Sequence, residues 1–363
     1  MVKTSQSQKT VMSYSAHGHA PYILAAGLGR EIGNVVVNRF PRYGEIQEHV
    51  LKKHYGKDPN IFIDEGSGRI LAQIDFFGDY GDYVARNLRR GEKVRKELKD
   101  YLRSFEATSL AGERRTFSNP EISISLGARF VPDPERTFYV YPALTTEVAK
   151  RAPFQVKGVE EFVRVVHGEE IMYKRIFLPQ ITTFSYTSIE KLPQEVSTPP
   201  LTHMLKDEQE IPEGSVYYNL SGATGALDAE IIRAASRTNL RLYRAPEIDG
   251  PGIPTGPAII FNKNCIGQIA RAGWGTIWMC QLAGKPIMAP EFRENDDPEI
   301  FHNNKTVQSL GLGVIFESIS QEVIERAVAT TTKIKELNNQ LLRTFGTLDG
   351  IEFVAQKMQE DRS

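Results

Sequence analysis

Short apolar runs with strand character alternate along this chain with longer stretches of helical spacing. Residues 11–16 read as a strand, 22–32 as an apolar helix, and the valine-rich 34–40 as a second strand. Residues 45–55 then read as a helix and 61–64 as a third strand. A long charged helix is predicted over 83–103, with its apolar positions at Val84, Leu88, Val94, Leu98, Tyr101 and Leu102. Residues 121–126 and 137–141 read as further strands. Strands alternating with helices imply a mainly parallel sheet covered on both faces.

Between residues 179 and 212 the periodicity fades, and Pro179, Pro193, Pro199, Pro200 and Pro212 stand among Ser and Thr. Such a stretch reads as a linker between domains. A second α/β series follows. It opens with a strand over 215–220, the loop Ser221-Gly222-Ala223-Thr224-Gly225 and a helix over 228–236. Later strands are expected at 240–243, 257–261, 268–271, 286–289 and 313–316, with a helical tail over 321–360 broken near Gly346. The pattern predicts two Rossmann-like domains, 10–205 and 213–335, and a helical tail over 336–363.

Composition narrows the class. In 363 residues, 44 basic side chains meet 45 acidic ones, for a net charge of −1, which excludes a chain that grips nucleic acid through bulk positive charge. Neutrality is an average, however. From Arg86 to Arg115 there are ten Lys or Arg against five Asp or Glu, which leaves two readings: a solvated helix face, or contact with an anionic surface. Two cysteines, Cys265 and Cys280, cannot build a disulfide framework or a four-ligand zinc site. No apolar run reaches the roughly 18 residues of a membrane-crossing helix, and the opening MVKTSQSQKT lacks the apolar core of a secretion signal. A cytoplasmic protein is the expectation.

Gly27-Leu28-Gly29-Arg30-Glu31-Ile32-Gly33 mimics a dinucleotide fingerprint, but a strand begins directly after Gly33 where that motif needs a full helix. A better candidate is His17-Gly18-His19, which follows the first strand. Open α/β sheets place ligands where parallel strands end, and histidine can accept a proton near neutral pH. In the second half, residues 269–276 lead through Gly273 and Gly275 into an apolar helix. A strand, a glycine turn and a helix N-terminus form an anion site, since free N–H groups and the helix dipole both favour phosphate. The Ser221–Gly225 loop has the same form. Each loop alone also reads as an ordinary tight turn; two in one domain suggest a diphosphate.

The run GWGTIWMCQLAGKPIMAPEFRENDDPEIFHNNKTVQSLGLG, from Gly273 to Gly313, resembles the donor-binding segment of nucleotide-sugar glycosyltransferases with the GT-B fold. The matching positions are Gly273, Gly275, Thr276, Gly284, Pro286, Pro290, Asn303, Gly311 and Gly313. Gly18-His19-Ala20-Pro21 is similar to the family's glycine–histidine–proline entry to its first helix. The resemblance implies two Rossmann-like domains facing across a cleft, with the C-terminal helices packing back on the first. It implies an inverting transfer from a UDP-sugar or similar donor to an acceptor hydroxyl, with no cofactor and no metal. His19 would be the base, with His17 the alternative. Ser221, Gly222, Gly273, Gly275 and Thr276 would hold the diphosphate. Gln281, Glu291, Asp296, Asp297 and Asn303 would reach the ribose and sugar. Met279 stands where the family carries a ribose-binding glutamate. The acceptor class stays open among lipid, small metabolite, polysaccharide and nucleic acid. Beside the solvated-face reading, the functional reading of the Arg86–Arg115 region is contact with an anionic acceptor or membrane surface, as in lipid-glycosylating relatives. A sugar-nucleotide epimerase or hydrolase on the same fold, or a non-catalytic binding relative, are the rival readings.

Overall fold

The computed structural model describes residues 9–15, 19–42, 44–184, 191–203, 206–220, 225–238, 240–246, 248–293 and 296–361. Two compact units are present. The first comprises residues 1–181, 185–198 and 351–363, and the second 182–184 and 199–350.

The first unit is built on a nine-stranded sheet in the order β5-β4-β3-β2-β1-β6-β7-β8-β9. Its elements run β1 (Thr10–Ser15), α1 (His19–Ile32), β2 (Asn34–Asn38), α2 (Gly44–Tyr55), β3 (Ile61–Asp64), α3 (Glu65–Leu71) and α4 (Tyr80–Tyr101). They continue with β4 (Phe105–Ser109), β5 (Arg114–Phe117), β6 (Ile122–Leu126), β7 (Thr137–Val140), α5 (Thr145–Lys150), α6 (Val159–Glu170), β8 (Arg175–Leu178) and β9 (Glu195–Ser197). All neighbours pair in parallel except β3–β4 and β4–β5, which are antiparallel. Val11, Met12, Val35, Val36 and Val37 are fully buried, as a sheet covered on both faces requires. Met12, Tyr14 and Val36 share one core with Val94 and Leu98 of α4.

In the second unit the elements are β10 (Ser215–Asn219), α7 (Gly225–Arg237), β11 (Arg241–Arg244), β12 (Ile253–Pro254), β13 (Cys265–Ala270) and α8 (Trp274–Leu282). Then come β14 (Ile287–Pro290), α9 (Pro298–Leu310), β15 (Gly313–Phe316), α10 (Gln321–Ala329) and α11 (Thr331–Phe345). Six parallel strands lie in the order β12-β11-β10-β13-β14-β15, the doubly wound arrangement with one reversal between β10 and β13. Period-two alternation sorts the faces. Ile269 joins a core with Ile231 of α7 and Val323 of α10, whereas Gln268 beside it accepts a bond from Cys280 Sγ of α8 at 3.4 Å. A last helix, α12 (Gly350–Glu360), ends with Asp361 paired to Arg175 at 2.8 Å, in the first unit.

The structure corrects the sequence reading at two places. Residues 257–261, expected as a strand, form a 3-10 turn with Pro257 at its start. Proline's fixed φ and missing N–H suit a first helical turn and cannot serve a central strand. Within 179–212, expected to be linker only, Glu195–Ser197 pairs in parallel with β8 and ends the first sheet. Among the described residues no helix is long and apolar enough to cross a membrane.

Candidate functional site

In the second unit, β10 and β13 pair to their last residues, Asn219 opposite Ala270. The strand order reverses between them, with β11 on one side and β14 on the other, and open α/β sheets place ligands at the carboxyl ends of strands at such a point. Ser221 and Gly222 follow β10 but lie outside the described residues. After β13 the chain turns at Gly273, whose extended backbone (φ −83°, ψ 146°) caps α8 with no side-chain hydrogen bond. Among the described residues nothing lies within 4 Å of where a Cβ at Gly273 would stand. Thr276 N and Ile277 N both turn back to the Gly273 carbonyl, at 3.1 and 3.0 Å. The amides of Trp274 and Gly275 precede any intrahelical acceptor. No acidic residue sits in this first turn, so the helix end keeps its positive character for a ligand.

Helix α9 secures both flanking loops. Asn303, fully buried, donates to the Ala272 carbonyl at 2.7 Å, and Asn304 donates to the Pro290 carbonyl at 3.0 Å. Asp297 caps α9 by accepting from Glu299 N at 2.9 Å. Asp296 forms an ion pair with Arg271, joining the loop after β14 to the loop after β13. Glu291 is exposed just past β14, and its amide donates to Phe316 at 3.1 Å. Gly273, Gly275, Thr276, Asp296 and Asn303 therefore belong to one edge. Gln281 does not join them. It lies two turns down α8 and is 1% exposed; its Nε2 donates to Asn338 Oδ1 of α11 at 3.3 Å, and its main-chain carbonyl accepts from Asn338 Nδ2 at 2.8 Å. Trp274 and Trp278, one turn apart, stack with ring centroids 5.2 Å apart inside the unit.

The first unit has its own reversal, between β1 and β6. Asn38 ties the end of β1 to β2, accepting from Ser15 N at 2.8 Å and Ser15 Oγ at 3.0 Å. His19 is the first residue of α1, four positions beyond Ser15, the last residue of β1; His17 lies outside the described residues. Beyond β6 the chain holds Gly127 and Phe130 at positive φ, 83° and 56°. Glu169 stabilises this turn, accepting from Phe130 N at 2.9 Å, Tyr173 Oη at 2.7 Å and Arg95 at 2.7 Å. Buried Arg129 donates to the carbonyls of Gly127 and Ala128 and lies over the Tyr139 ring. A concavity of about 970 Å³, with Arg39, Asp64, Arg69, Tyr101 and Arg114 in its wall, lies along the ends of β2 and β3.

Six of the ten basic residues from Arg86 to Arg115 form ion pairs: Lys93 with Glu97, Arg95 with Glu92 and Glu169, Lys99 with Asp133, Arg103 with Asp100, Arg114 with Glu106, and Arg115 with Glu113. Among the described residues no group of three or more His, Cys, Asp or Glu converges as a metal site. Sequence reasoning passed over Arg271 and Asn304. A cation directly before a glycine turn was the available signal for the first; an asparagine inside a polar helix gave none for the second.

No family model matches the chain, and no curated protein is significantly similar to it in sequence. Solved structures match it along nearly its whole length. TcCGT1, solved in complex with UDP, superposes with a TM-score of 0.63 at 14% identity, covering 98% of this chain and 100% of that one. A UDP-glucosyltransferase from Polygonum tinctorium capable of glucosylating indoxyl gives 0.62 at 11%, with 98% of each chain covered. CalG4, the calicheamicin glycosyltransferase, gives 0.59 at 12%, again with 98% of each covered. The chain has the GT-B fold of these glycosyltransferases.

Proposed function

We propose that this chain is an inverting glycosyltransferase that moves a sugar from a nucleotide-diphosphate donor, a UDP-sugar, to an acceptor hydroxyl. One observation carries the reading: the N-terminus of α8, with no side-chain cap and no acidic residue in its first turn, at the reversal point of the second sheet. That is where a diphosphate finds free amides and a favourable dipole. The fold shared with glycosyltransferases, one of them solved with UDP, supports the same assignment.

In this reading the amides of Trp274 and Gly275, the Thr276 hydroxyl and the Ser221–Gly222 loop hold the diphosphate. As the anomeric C–O bond breaks, negative charge grows on the leaving phosphate, and these fixed donors stabilise it without a metal. The acceptor occupies the carboxyl ends of the strands in the first unit. His19 takes the proton from its hydroxyl, the oxygen attacks the anomeric carbon, and the configuration inverts. Glu291 and Asp297, on the loop before α9, are the carboxylates assigned to sugar hydroxyls. Asn303 sets the height of the glycine turn. Gln281 is left out, because Asn338 already engages its amide. The ion pairs that engage six of the ten basic residues along Arg86–Arg115 support reading that region as a solvated face.

A release assay with UDP-sugars and a panel of acceptors tests the assignment. Wild-type protein should release UDP only when an acceptor hydroxyl is present. His19→Ala should keep UDP affinity while turnover falls by about 10²–10⁴-fold. Full turnover in that variant removes His19 as the base; UDP release without acceptor turns the assignment to hydrolysis.

A further inference from the structure

Arg271 lies two residues ahead of the cap of α8, and its guanidinium forms an ion pair with Asp296. Both partners are partly exposed, at 23% and 30% of the side chain. The same Asp296 Oδ1 also accepts from Asp297 N at 2.7 Å. The loop carrying Arg271 is held from below by Asn303, whose Oδ1 is buried without a partner. A cation at this point lies beside a helix end that is itself positive and has no acidic residue in its first turn. Without an anion the two like charges oppose each other. Asp296, supplied from the next loop, offsets them.

We propose that Arg271 reads the diphosphate of the donor and that Asp296 is its resting counter-ion, displaced from the guanidinium when the diphosphate arrives. This inference rests on the donor-site reading above. The exchange is chemically sound: a guanidinium forks onto phosphate as readily as onto carboxylate, and the diphosphate carries more charge. It gives the two halves of one ion pair opposite effects on binding. Arg271 supplies affinity, whereas Asp296 competes for the same donor. A purely structural pair would act with one sign, since losing either half loosens the same two loops.

Titration calorimetry of the full chain with UDP, UMP and uridine at low salt separates these cases. Arg271→Gln should weaken UDP binding about tenfold or more, as loss of a charge-assisted contact does, and leave uridine unchanged. Arg271→Lys should fall between, keeping the charge but not the fork. Asp296→Asn should tighten UDP binding by roughly threefold, the worth of a part-exposed ion pair. In an Arg271→Gln background, Asp296→Asn should add nothing. If Arg271→Gln does not fold, the sign of the Asp296→Asn effect still decides. Weaker or unchanged UDP binding in Asp296→Asn overturns the exchange and leaves the donor site standing. Wild-type protein that binds none of UDP, dTDP or GDP overturns the donor site and the exchange together.

Discussion

Glu170 ends α6 inside the first unit, where Thr146 donates its amide at 3.2 Å and its hydroxyl at 2.5 Å to the carboxyl. Burial pushes its pKa up from the usual 4.5 to about 7, while Thr146 and the nearby Arg129 pull the other way. An acid whose pKa is raised by folding holds its proton longer in the native state than in the unfolded one. The unfolded chain ionises first, so this residue's contribution is fully present below pH 4.5 and is lost as pH rises through about 7. Glu170→Gln should remove that slope. Urea unfolding at pH 5 and pH 8 should show wild type losing stability relative to the variant by up to about 3 kcal/mol. Parallel behaviour of the two proteins across that interval would sink the assignment. Nothing in the sequence marks this carboxyl. Glu169 and Glu170 belong to no motif of the sequence, and only the fold brings Thr146 and the turn after β6 onto them.

At the scale of elements, glycine separates packing from propensity. Gly29 lies in α1 against β2, and a Cβ there would fall 2.2 Å from Val35 Cγ2 and 2.3 Å from Val35 Cβ. Because a Cβ is fixed to the backbone, the side chain cannot rotate clear and the helix must move off the sheet. Alanine gains about 1 kcal/mol of helix propensity, but forced overpacking costs about 1–3 kcal/mol or more. Gly29→Ala should therefore destabilise. Gly168, exposed in α6 with nothing within 4 Å of its Cβ position, has no such opposing cost. Gly168→Ala should stabilise by about 0.5–1 kcal/mol; urea midpoints check both. The same contrast explains what was legible. Fully buried parallel strands such as Asn34–Asn38 announce themselves as unbroken valine, and the glycine turn before α8 is written in consecutive residues. The antiparallel hairpin β4–β5 is harder to read: Phe105–Ser109 alternates buried and exposed positions over only five residues, and in Arg114–Phe117 only Phe117 is buried. The Arg271–Asp296 pair spans 25 residues and follows from strand order, which adjacency along the chain does not reveal. Likewise, the burial of Gln281 depends on where α11 lies.

Across the whole molecule, the two units own separate sheets and separate cores, so each has the material to unfold on its own. Both tryptophans of the chain, Trp274 and Trp278, lie on α8 in the second unit. Their fluorescence reports that unit alone, whereas far-ultraviolet circular dichroism reports helices in both. A ligand that binds only the native form raises stability by about 2.7 kcal/mol at a hundred times its Kd. If the diphosphate sits at the N-terminus of α8, saturating UDP should shift the tryptophan-detected transition upward and leave a circular-dichroism component behind at its ligand-free midpoint. That component belongs to the first unit, which holds no part of the proposed diphosphate site. Coincident transitions moving together by the same amount would mean that the units unfold as one cooperative body. A shift confined to the circular-dichroism component would place the nucleotide in the first unit, against the donor assignment. The two optical signals thus test, in one titration, which half of the chain receives the donor and whether the halves are energetically separate.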